Sequence, residues 1–446
     1  DKIKKKIKIN KTKVTKYILN TEQKTALNSL ISSGNKFNVS VLLGITGSGK
    51  TIVYFERIKK LIRENKQALI LIPEIFLTTQ FKKRFEQFFG YEPAIWHSKI
   101  SQNNKKNIWH SVANNEVKII LGARSSLFLP FKKLGLIIVD EEHDASYKQE
   151  ESVIYNARDM AISRGSIENI PVHLITSVPS LETFNNILNK KYKKIEIKNR
   201  FKNYPLPKTK VIHLNLESLN KRSISNETIK IVNDYLKKNN QILFFLNRRG
   251  YAPFLICKKC GYRHICPNCS IYLTYHKITN RILCHHCGYQ NNSKRTCKDK
   301  SLFCEFSMYG PGVEKVFEEL KSIYPKKIIK IFSSDYLSQK KQSENLITEI
   351  SEEKIDILVG TQMISKGFNF PKLNCIVVVD ADFTGKGYDL RTTEKNIQLY
   401  NQLSGRAGRF SKDSIIIYQT INPDNQTLKN ILENKIKNFF SNELKI

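Results

Sequence analysis

Short apolar runs recur along this chain, each followed by a stretch of helical periodicity. Val39-Ser40-Val41-Leu42-Leu43 is the first, and Ala68-Leu69-Ile70-Leu71-Ile72, Lys118-Ile119-Ile120-Leu121 and Leu136-Ile137-Ile138-Val139 repeat it. Runs this short read as buried strands, and helical stretches such as residues 52–63 lie between them. Strand–helix alternation of this kind predicts an α/β fold, a parallel sheet with helices on both faces. The same grammar restarts at Val211 and continues through residues 241–246, 328–332, 355–359, 375–379 and 414–418, predicting a second lobe. The expected organisation is a Lys-rich arm (1–16), a first lobe (17–197), a linker holding Pro205 and Pro207 (198–210), and a second lobe (211–256 and 306–446). A cysteine-rich insert (257–305) interrupts the second lobe.

Composition sharpens this picture. A protein of 446 residues accommodates two to three domains, and 40% hydrophobic with 26% charged residues fits a globular protein. With Lys+Arg at 74 and Asp+Glu at 40 the net charge is +34, which excludes an acidic solvating protein and points to a polyanion, nucleic acid first. Lys far outnumbers Arg, and Asn and Ile are abundant, the look of AT-rich coding, so the charge by itself is a modest argument. No apolar run approaches the roughly 18 residues of a membrane span, and the start lacks a signal peptide's apolar stretch. A cytoplasmic protein with no membrane partner is expected. The chain opens on Asp1 rather than Met, as a fragment would.

The chemistry begins at Gly44-Ile45-Thr46-Gly47-Ser48-Gly49-Lys50-Thr51, which follows one predicted strand and opens a helix. This is G-x-x-x-x-G-K-[ST] in its required context, a loop whose backbone N–H groups close on phosphates at a helix N-terminus. Lys50 is expected to reach the β and γ phosphates of ATP, and Thr51 to ligate Mg²⁺. Downstream, Asp140-Glu141-Glu142-His143 ends an apolar strand. Asp140 can hold Mg²⁺ through water, and Glu141 can orient and deprotonate an attacking water. Alone such an acidic loop is more often just solvated; beside a phosphate loop it is a partner motif. Near the C-terminus, Gln402-Leu-Ser-Gly405-Arg406-Ala-Gly408-Arg409 carries two arginines three apart, on one face if helical, able to meet charge developing on a γ-phosphate from a second lobe across a cleft.

Phosphate loop, D-E-E-H and Q-x-x-G-R-x-G-R, in this order, resemble a superfamily 2 helicase. Further segments narrow the match: Leu71-Ile-Pro73-Glu74-Ile-Phe-Leu77-Thr78-Thr-Gln80, Trp96-His97-Ser98, Gly122-Ala-Arg124-Ser125, Asp144-Ala-Ser-Tyr147-Lys148-Gln149, Tyr155-Asn-Ala157-Arg158-Asp159, Asn247-Arg248-Arg249-Gly250-Tyr251 and Gly360-Thr361-Gln362-Met363-Ile-Ser-Lys366-Gly367. With the cysteine-rich insert they resemble the PriA-type replication restart helicases, from about Thr21 to the end. The resemblance implies two RecA-like helicase lobes with a zinc-binding insert in the second. It implies ATP-driven 3′→5′ unwinding or translocation on single-stranded and forked DNA at stalled or abandoned forks. It also implies partners among primosome and helicase-loading proteins and single-stranded-DNA-binding protein. By the same resemblance Gln23 reads adenine and Gly367 joins the nucleotide-binding residues. The stretch from His143 to Gln149 couples DNA contact to hydrolysis, with Tyr147 able to stack on a base and Lys148 to touch phosphate.

The insert holds Cys257, Cys260, Cys266, Cys269, Cys284, Cys287, Cys297 and Cys304. In a protein that is not secreted, C-x-x-C pairs read as metal, and two such pairs close a tetrahedral Zn²⁺ site. Cys257-x-x-Cys260-Gly261-Tyr262 and Cys284-x-x-Cys287-Gly288-Tyr289 form an internal repeat whose glycines permit a left-handed turn. Family resemblance pairs Cys266, Cys269, Cys284 and Cys287 in one complete site, and Cys257, Cys260, Cys297 and one further ligand in another. Lys300 stands where the last cysteine is expected. Either Cys304 replaces it through a wider loop, or a nearby His does, or the site is weakened; Cys304 is favoured as the ligand, against a buried free thiol. Other departures are Val178 at a Thr position of the segment linking the lobes, and Phe368-Asn369 in place of His-Asp. The family's N-terminal DNA-binding domains have no counterpart here, and its C-terminal domain is shortened to residues 422–446, so a truncated or reduced form is expected. Two other readings compete with an active motor. One is a degenerate zinc-bearing DNA-binding or scaffold protein, which retention of the hydrolysis residues disfavours. The other is an RNA helicase, which the insert disfavours.

Overall fold

A computed structural model of the protein describes residues 14–73, 79–98, 100–150, 153–214, 222–246, 254–257, 262, 264–268, 273–276, 281–284, 287–292, 306–309, 313–333, 346, 348–350, 352–365, 370–382, 391–409, 411–433 and 436–444. The protein divides into two compact units, residues 1–203 (with the last three residues) and 204–443.

In the first unit the strands are β1 (Val39–Gly44), β2 (Gln67–Leu71), β3 (Ala94–Trp96), β4 (Ile119–Gly122), β5 (Leu134–Asp140), the short β6 (Lys148–Gln149) and β7 (Tyr155–Asn156), β8 (Val172–Thr176) and β9 (Lys193–Ile197). Among the described residues, seven of them pair in the order β3-β4-β2-β5-β8-β1-β9, and every pairing is parallel. α1 (Thr21–Ser32) precedes the sheet, and the crossovers carry α2 (Lys50–Arg63), α3 (Thr79–Phe89), α4 (Gln102–Ala113), α5 (Ala157–Ile167) and α6 (Leu181–Leu188). Residues of β1, β2, β4, β5 and β8 divide between two separate apolar clusters, which is why their sequences run apolar rather than alternate. α2 packs Val53, Phe55, Ile58 and Leu61 into one cluster, all fully buried, while Lys59, Lys60 and Arg63 stay outside it.

β3, β8 and β9 have no counterpart among the strands expected from apolar runs. β8 hides a polar residue, His173, in its middle, and β9 alternates polar and buried positions because it is an edge strand. β3 is three residues long and half-buried throughout.

In the second unit, β10 (Lys208–His213), β11 (Gln241–Phe245), β17 (Ile329–Phe332), β18 (Ile357–Gly360), β19 (Leu373–Val378) and β20 (Ile415–Thr420) form a sheet in the order β10-β20-β19-β11-β18-β17, again with every pairing parallel. β10 starts at Lys208, earlier than the expected Val211, because Lys208 already pairs with Ile415 of β20. β12 (Phe254–Cys257) with β16 (Phe306–Tyr309), and β13 (Thr274–His276), β14 (Arg281–Leu283) and β15 (Gln290–Asn292), make two small antiparallel sheets. They fall between β11 and β17, so the cysteine-rich stretch is an insert in the second sheet.

Candidate nucleotide site and metal centre

Parallel strands bring their C-terminal ends to one edge, and there the first unit collects its chemistry. β1 ends at Gly44, β8 at Thr176 and β5 at Asp140, with β8 between the other two. The phosphate loop bridges β1 to α2. Gly47 and Gly49 hold φ of +88° and +83°, the left-handed region that Gly adopts without penalty. A Cβ on Gly44 would lie 2.6 Å from Ser48 Oγ, and one on Gly49 would lie 2.4 Å from Gln23 Nε2. The Lys50 ammonium, buried, donates to the carbonyl of Gly44 at 2.6 Å. Thr46 Oγ1 and Ser48 Oγ are buried in this loop with no hydrogen-bond partner. Two orphaned hydroxyls beside a buried ammonium and a helix N-terminus suit a polyphosphate, whose oxygens accept from all three.

Gln23 is fixed against this loop. Asn20 and Gln23 form a reciprocal capping box at the start of α1, and Gln23 Nε2 donates to the carbonyl of Ser48 at 2.8 Å. Its amide therefore has one N–H and one lone pair left. The alternative of an ordinary exposed helix residue is excluded, since Gln23 is buried.

Asp140 lies across from Lys50. Burial, with the charge of Glu141 adding, pushes its carboxyl up to about 7, against the opposing hydrogen bond from Tyr54 and the charge of Lys50. Tyr54 Oη donates to Asp140 Oδ2 at 2.9 Å, and the Glu141 N–H donates to Oδ1 at 3.1 Å. A carboxylate so reluctant to ionise is one that a divalent cation would stabilise, and the oxygen donors of Thr51 and Asp140 suit Mg²⁺. Glu141 has φ +50°, outside the regions a side-chain-bearing residue normally adopts, and its Oε2 is buried without a hydrogen bond, 3.8 Å from His143 Nδ1.

The rest of D-E-E-H reaches a different set of partners. Glu142 is buried and accepts from the Ser180 N–H (2.8 Å), Ser180 Oγ (3.1 Å), Thr183 Oγ1 (2.9 Å) and Arg158 Nη1 (3.2 Å). His143 Nδ1 lies 2.8 Å from Thr176 Oγ1, whose hydroxyl donates to the carbonyl of Val178 at 2.7 Å. The acidic loop is thus tied to the exit of β8 and the start of α6. Sequence reasoning missed Tyr54, Glu142, Arg158, Ser180 and Thr183 as parts of the site. The signals were there for some: Glu142 lies inside the acidic motif, Arg158 inside one of the family-like segments, Tyr54 close after the phosphate loop, and Ser180 is a Ser opening a helix.

Tyr147 corrects an expectation. It is fully buried, with its one O–H shared between the carbonyls of Asp140 (2.6 Å) and Leu71 (2.9 Å), so its ring does not present a face to a base. The apolar ring goes into the core because the short helical turn 145–147 folds it under the strand ends. Lys148 beside it is exposed.

In the second unit, Gln402 is buried on a helix (Thr392–Ser404) that stops before the arginines. Arg406 and Arg409 sit in the following turn, so they do not share a helix face as the spacing allowed. Gly408, within that turn, holds φ +64°, and a Cβ on it would lie 2.2 Å from Ser414 Oγ. Arg406 is buried, and Arg409 Nε donates to the carbonyl of Gly405 at 3.0 Å. Gly367 lies outside the described residues.

In the insert, the sulfurs of Cys266, Cys284 and Cys287 lie within 4.8 Å of one another, with Cys266 and Cys287 3.6 Å apart. Thiolates around tetrahedral zinc sit about 3.8 Å apart, so the donor set fits that ion. Gly288 has φ +74°, as its place after the knuckle requires. The internal repeat is real in the backbone: the N–H of Cys284 donates to Tyr289 O (2.7 Å), and that of Cys257 to Tyr262 O (2.9 Å). Cys260, Cys269, Cys297 and Cys304 lie outside the described residues.

Profiles of known families match three stretches: the type III restriction enzyme res subunit over residues 16–170, the helicase conserved C-terminal domain over 282–411, and the PriA DNA helicase Cys-rich region domain over 266–291. Replication restart protein PriA of Rickettsia typhi is 40% identical over 445 residues, 99% of this chain and 68% of that protein. The chain belongs to the PriA family. PriA of Rickettsia conorii is 42% identical over 96% of this chain and 66% of its own length, and PriA of Bacillus subtilis 36% identical over 96% and 53%. The chain thus spans about two thirds, or less, of these PriA proteins. Among solved structures, the DUF1998 helicase MrfA bound to DNA superposes with a TM-score of 0.56 at 16% identity (95% of this chain, 48% of that one). RecG bound to a three-way DNA junction gives 0.53 at 15% (94% and 47%). These two share the fold. The PriA cysteine-rich match begins at Cys266 and contains Cys269, Cys284 and Cys287, the four cysteines expected to make one site.

Proposed function

We propose that this chain is the ATP-driven motor of a replication restart helicase, moving 3′→5′ on single-stranded and forked DNA. The observation that carries it is the pairing, on nearby strand ends of a PriA-family protein, of a phosphate loop with two orphaned hydroxyls and a carboxylate pair unfit to be left uncompensated. Lys50, Thr46, Ser48 and the loop N–H groups of Gly44, Gly47 and Gly49 bind the triphosphate, Gln23 meets the adenine, and Glu141 orients the attacking water. Mg²⁺, held by Thr51 and through water by Asp140, would neutralise charge on the phosphates. Gln402, Arg406, Arg409 and Gly367 are the residues of the second unit proposed to take part in nucleotide chemistry. Zn²⁺ on Cys266, Cys269, Cys284 and Cys287 is structural, and a second ion is assigned to Cys257, Cys260, Cys297 and Cys304. Primosome proteins, a helicase loader and single-stranded-DNA-binding protein are the proposed partners, in the cytoplasm. No helix of the described residues is long and apolar enough to cross a membrane.

The substitution at Val178 does not speak for a motor that has lost its chemistry. Its carbonyl, not its side chain, receives Thr176 Oγ1, and that hydroxyl also meets His143. The test is ATP hydrolysis by the purified protein with and without single-stranded and forked DNA. Hydrolysis stimulated by DNA and lost in Lys50→Ala, with DNA binding kept, is expected. DNA binding without any hydrolysis would favour the scaffold reading instead.

A further inference from the structure

Tyr54 stands one helical turn beyond Thr51 on α2, fully buried in the apolar core. A tyrosine in such a place needs a partner for its hydroxyl, and here the partner is a carboxylate. Oη donates to Asp140 Oδ2 at 2.9 Å, while its own helix carries Thr51 three residues earlier. The hydroxyl therefore ties the helix after the phosphate loop, which carries Thr51, to Asp140 at the end of β5. The ring cannot drift. It packs edge-on against Phe55 at 5.1 Å between centroids, and Phe55 in turn meets Phe81, Phe85, Phe88 and Phe89.

We infer that Tyr54 is a positioning residue for the metal: its hydroxyl fixes the carboxylate of Asp140 relative to the helix that carries Thr51, in the geometry that Mg²⁺ requires. This rests on the nucleotide-site reading above. Mg²⁺ demands near-octahedral geometry and tolerates little adjustment. The groups that hold its ligands are accordingly worth about 10- to 100-fold in metal affinity. A rigid aromatic stem suits that duty better than a flexible one. An apolar ring alone would fill the same space, so packing gives no reason for the oxygen.

The test is Tyr54→Phe, which removes one oxygen and keeps the packed ring. ADP binding is measured by calorimetry, first in EDTA and then across a titration of free Mg²⁺. The expected result is an ADP affinity in EDTA within twofold of the parent protein, and a half-saturating Mg²⁺ concentration raised about tenfold. Adding Tyr54→Phe to Asp140→Asn should then raise it no further, because the hydroxyl acts through that carboxylate. A purely structural tyrosine would weaken binding equally with and without Mg²⁺, and would add to Asp140→Asn. Either outcome, or an unchanged Mg²⁺ requirement, overturns the inference. Failure of the parent protein itself to bind ADP in EDTA and in Mg²⁺ would instead sink the nucleotide-site reading.

Discussion

The ion pair between Arg158 and Glu142 makes the sharpest energetic prediction. Both side chains are buried, at 6% and 0% exposure, with Nη1 and Oε2 3.2 Å apart. Arg158→Met leaves Glu142 as a buried carboxylate without its cation. Breaking one side of a buried pair costs about 3–5 kcal/mol. Three neutral donors remain on Glu142, from the Ser180 N–H, Ser180 Oγ and Thr183 Oγ1, which holds the loss near the lower end, about 3 kcal/mol. Glu142→Gln should cost less, about 1–2 kcal/mol, because Arg158 keeps Asp159 at 2.7 Å and Glu182 at 3.7 Å, both partly exposed. The double variant removes both charges, so its loss should fall short of the sum by about 2 kcal/mol, well beyond the usual additivity error. Urea melts followed by far-UV circular dichroism measure all four proteins, reading the transition that moves with these variants, since two units need not unfold together. Losses that add to within about 0.5 kcal/mol would refute the pair as an energetic unit.

Three further outcomes follow from the same geometry. Tyr147→Phe removes the single O–H that two carbonyls share and should cost about 1–2 kcal/mol of stability, while affinity for single-stranded DNA stays within twofold; a large loss of affinity in a filter-binding assay would restore the base-stacking role. His173 is fully buried, and burial first, with the charge of Arg57, drives its imidazole down to about 3. The unfolded protein therefore takes up a proton at this residue that the folded one refuses as pH falls below about 6.5, so the contribution of His173 to stability drops with falling pH from there to about 3, against the opposite contribution of Asp140, whose folded carboxyl is raised. His173→Leu should remove the His173 part, so its stability relative to the parent protein should rise by on the order of 2 kcal/mol between about pH 6.5 and 5, and a difference between the two that stays constant across this range would contradict it. Finally, chelation of zinc, or Cys284→Ser, should release measurable zinc and expose the insert to protease while ADP binding persists, since no residue of the phosphate loop lies in the insert; loss of ADP binding would show the insert to be part of the nucleotide site.

Strong local rules made much of this molecule readable in advance. Apolar runs placed the central strands of both sheets within about three residues at each end, because strands buried on both faces leave no polar position to confuse the pattern. β8 and β9 were harder for the opposite reason: an interior His and an edge strand's alternation dilute the same signal. The phosphate loop is set by glycines that no other residue could replace at φ near +85°, so its sequence and its conformation are nearly one statement. The metal knuckle is similar, since two residues between cysteines and a glycine after them fix a turn. Those parts the sequence determined alone.

Only tertiary structure decided which neighbours those motifs acquired. Tyr147 is an aromatic in a loop expected to meet DNA, yet the backbone turns it under the strand ends, where two carbonyls need a donor. Tyr54 reads from sequence as one more apolar residue of a helix face, and its value lies in one oxygen meeting a carboxylate 86 residues away. Glu142 looks like a spare acid in an acidic loop until Arg158, Ser180 and Thr183 close around it. The helix before Arg406 ends at Ser404, so the spacing of the two arginines does not set their directions. Periodicity and glycine report what a residue demands of its own backbone. Hydrogen bonds between distant side chains depend on where whole strands are laid beside one another, and no local pattern encodes that.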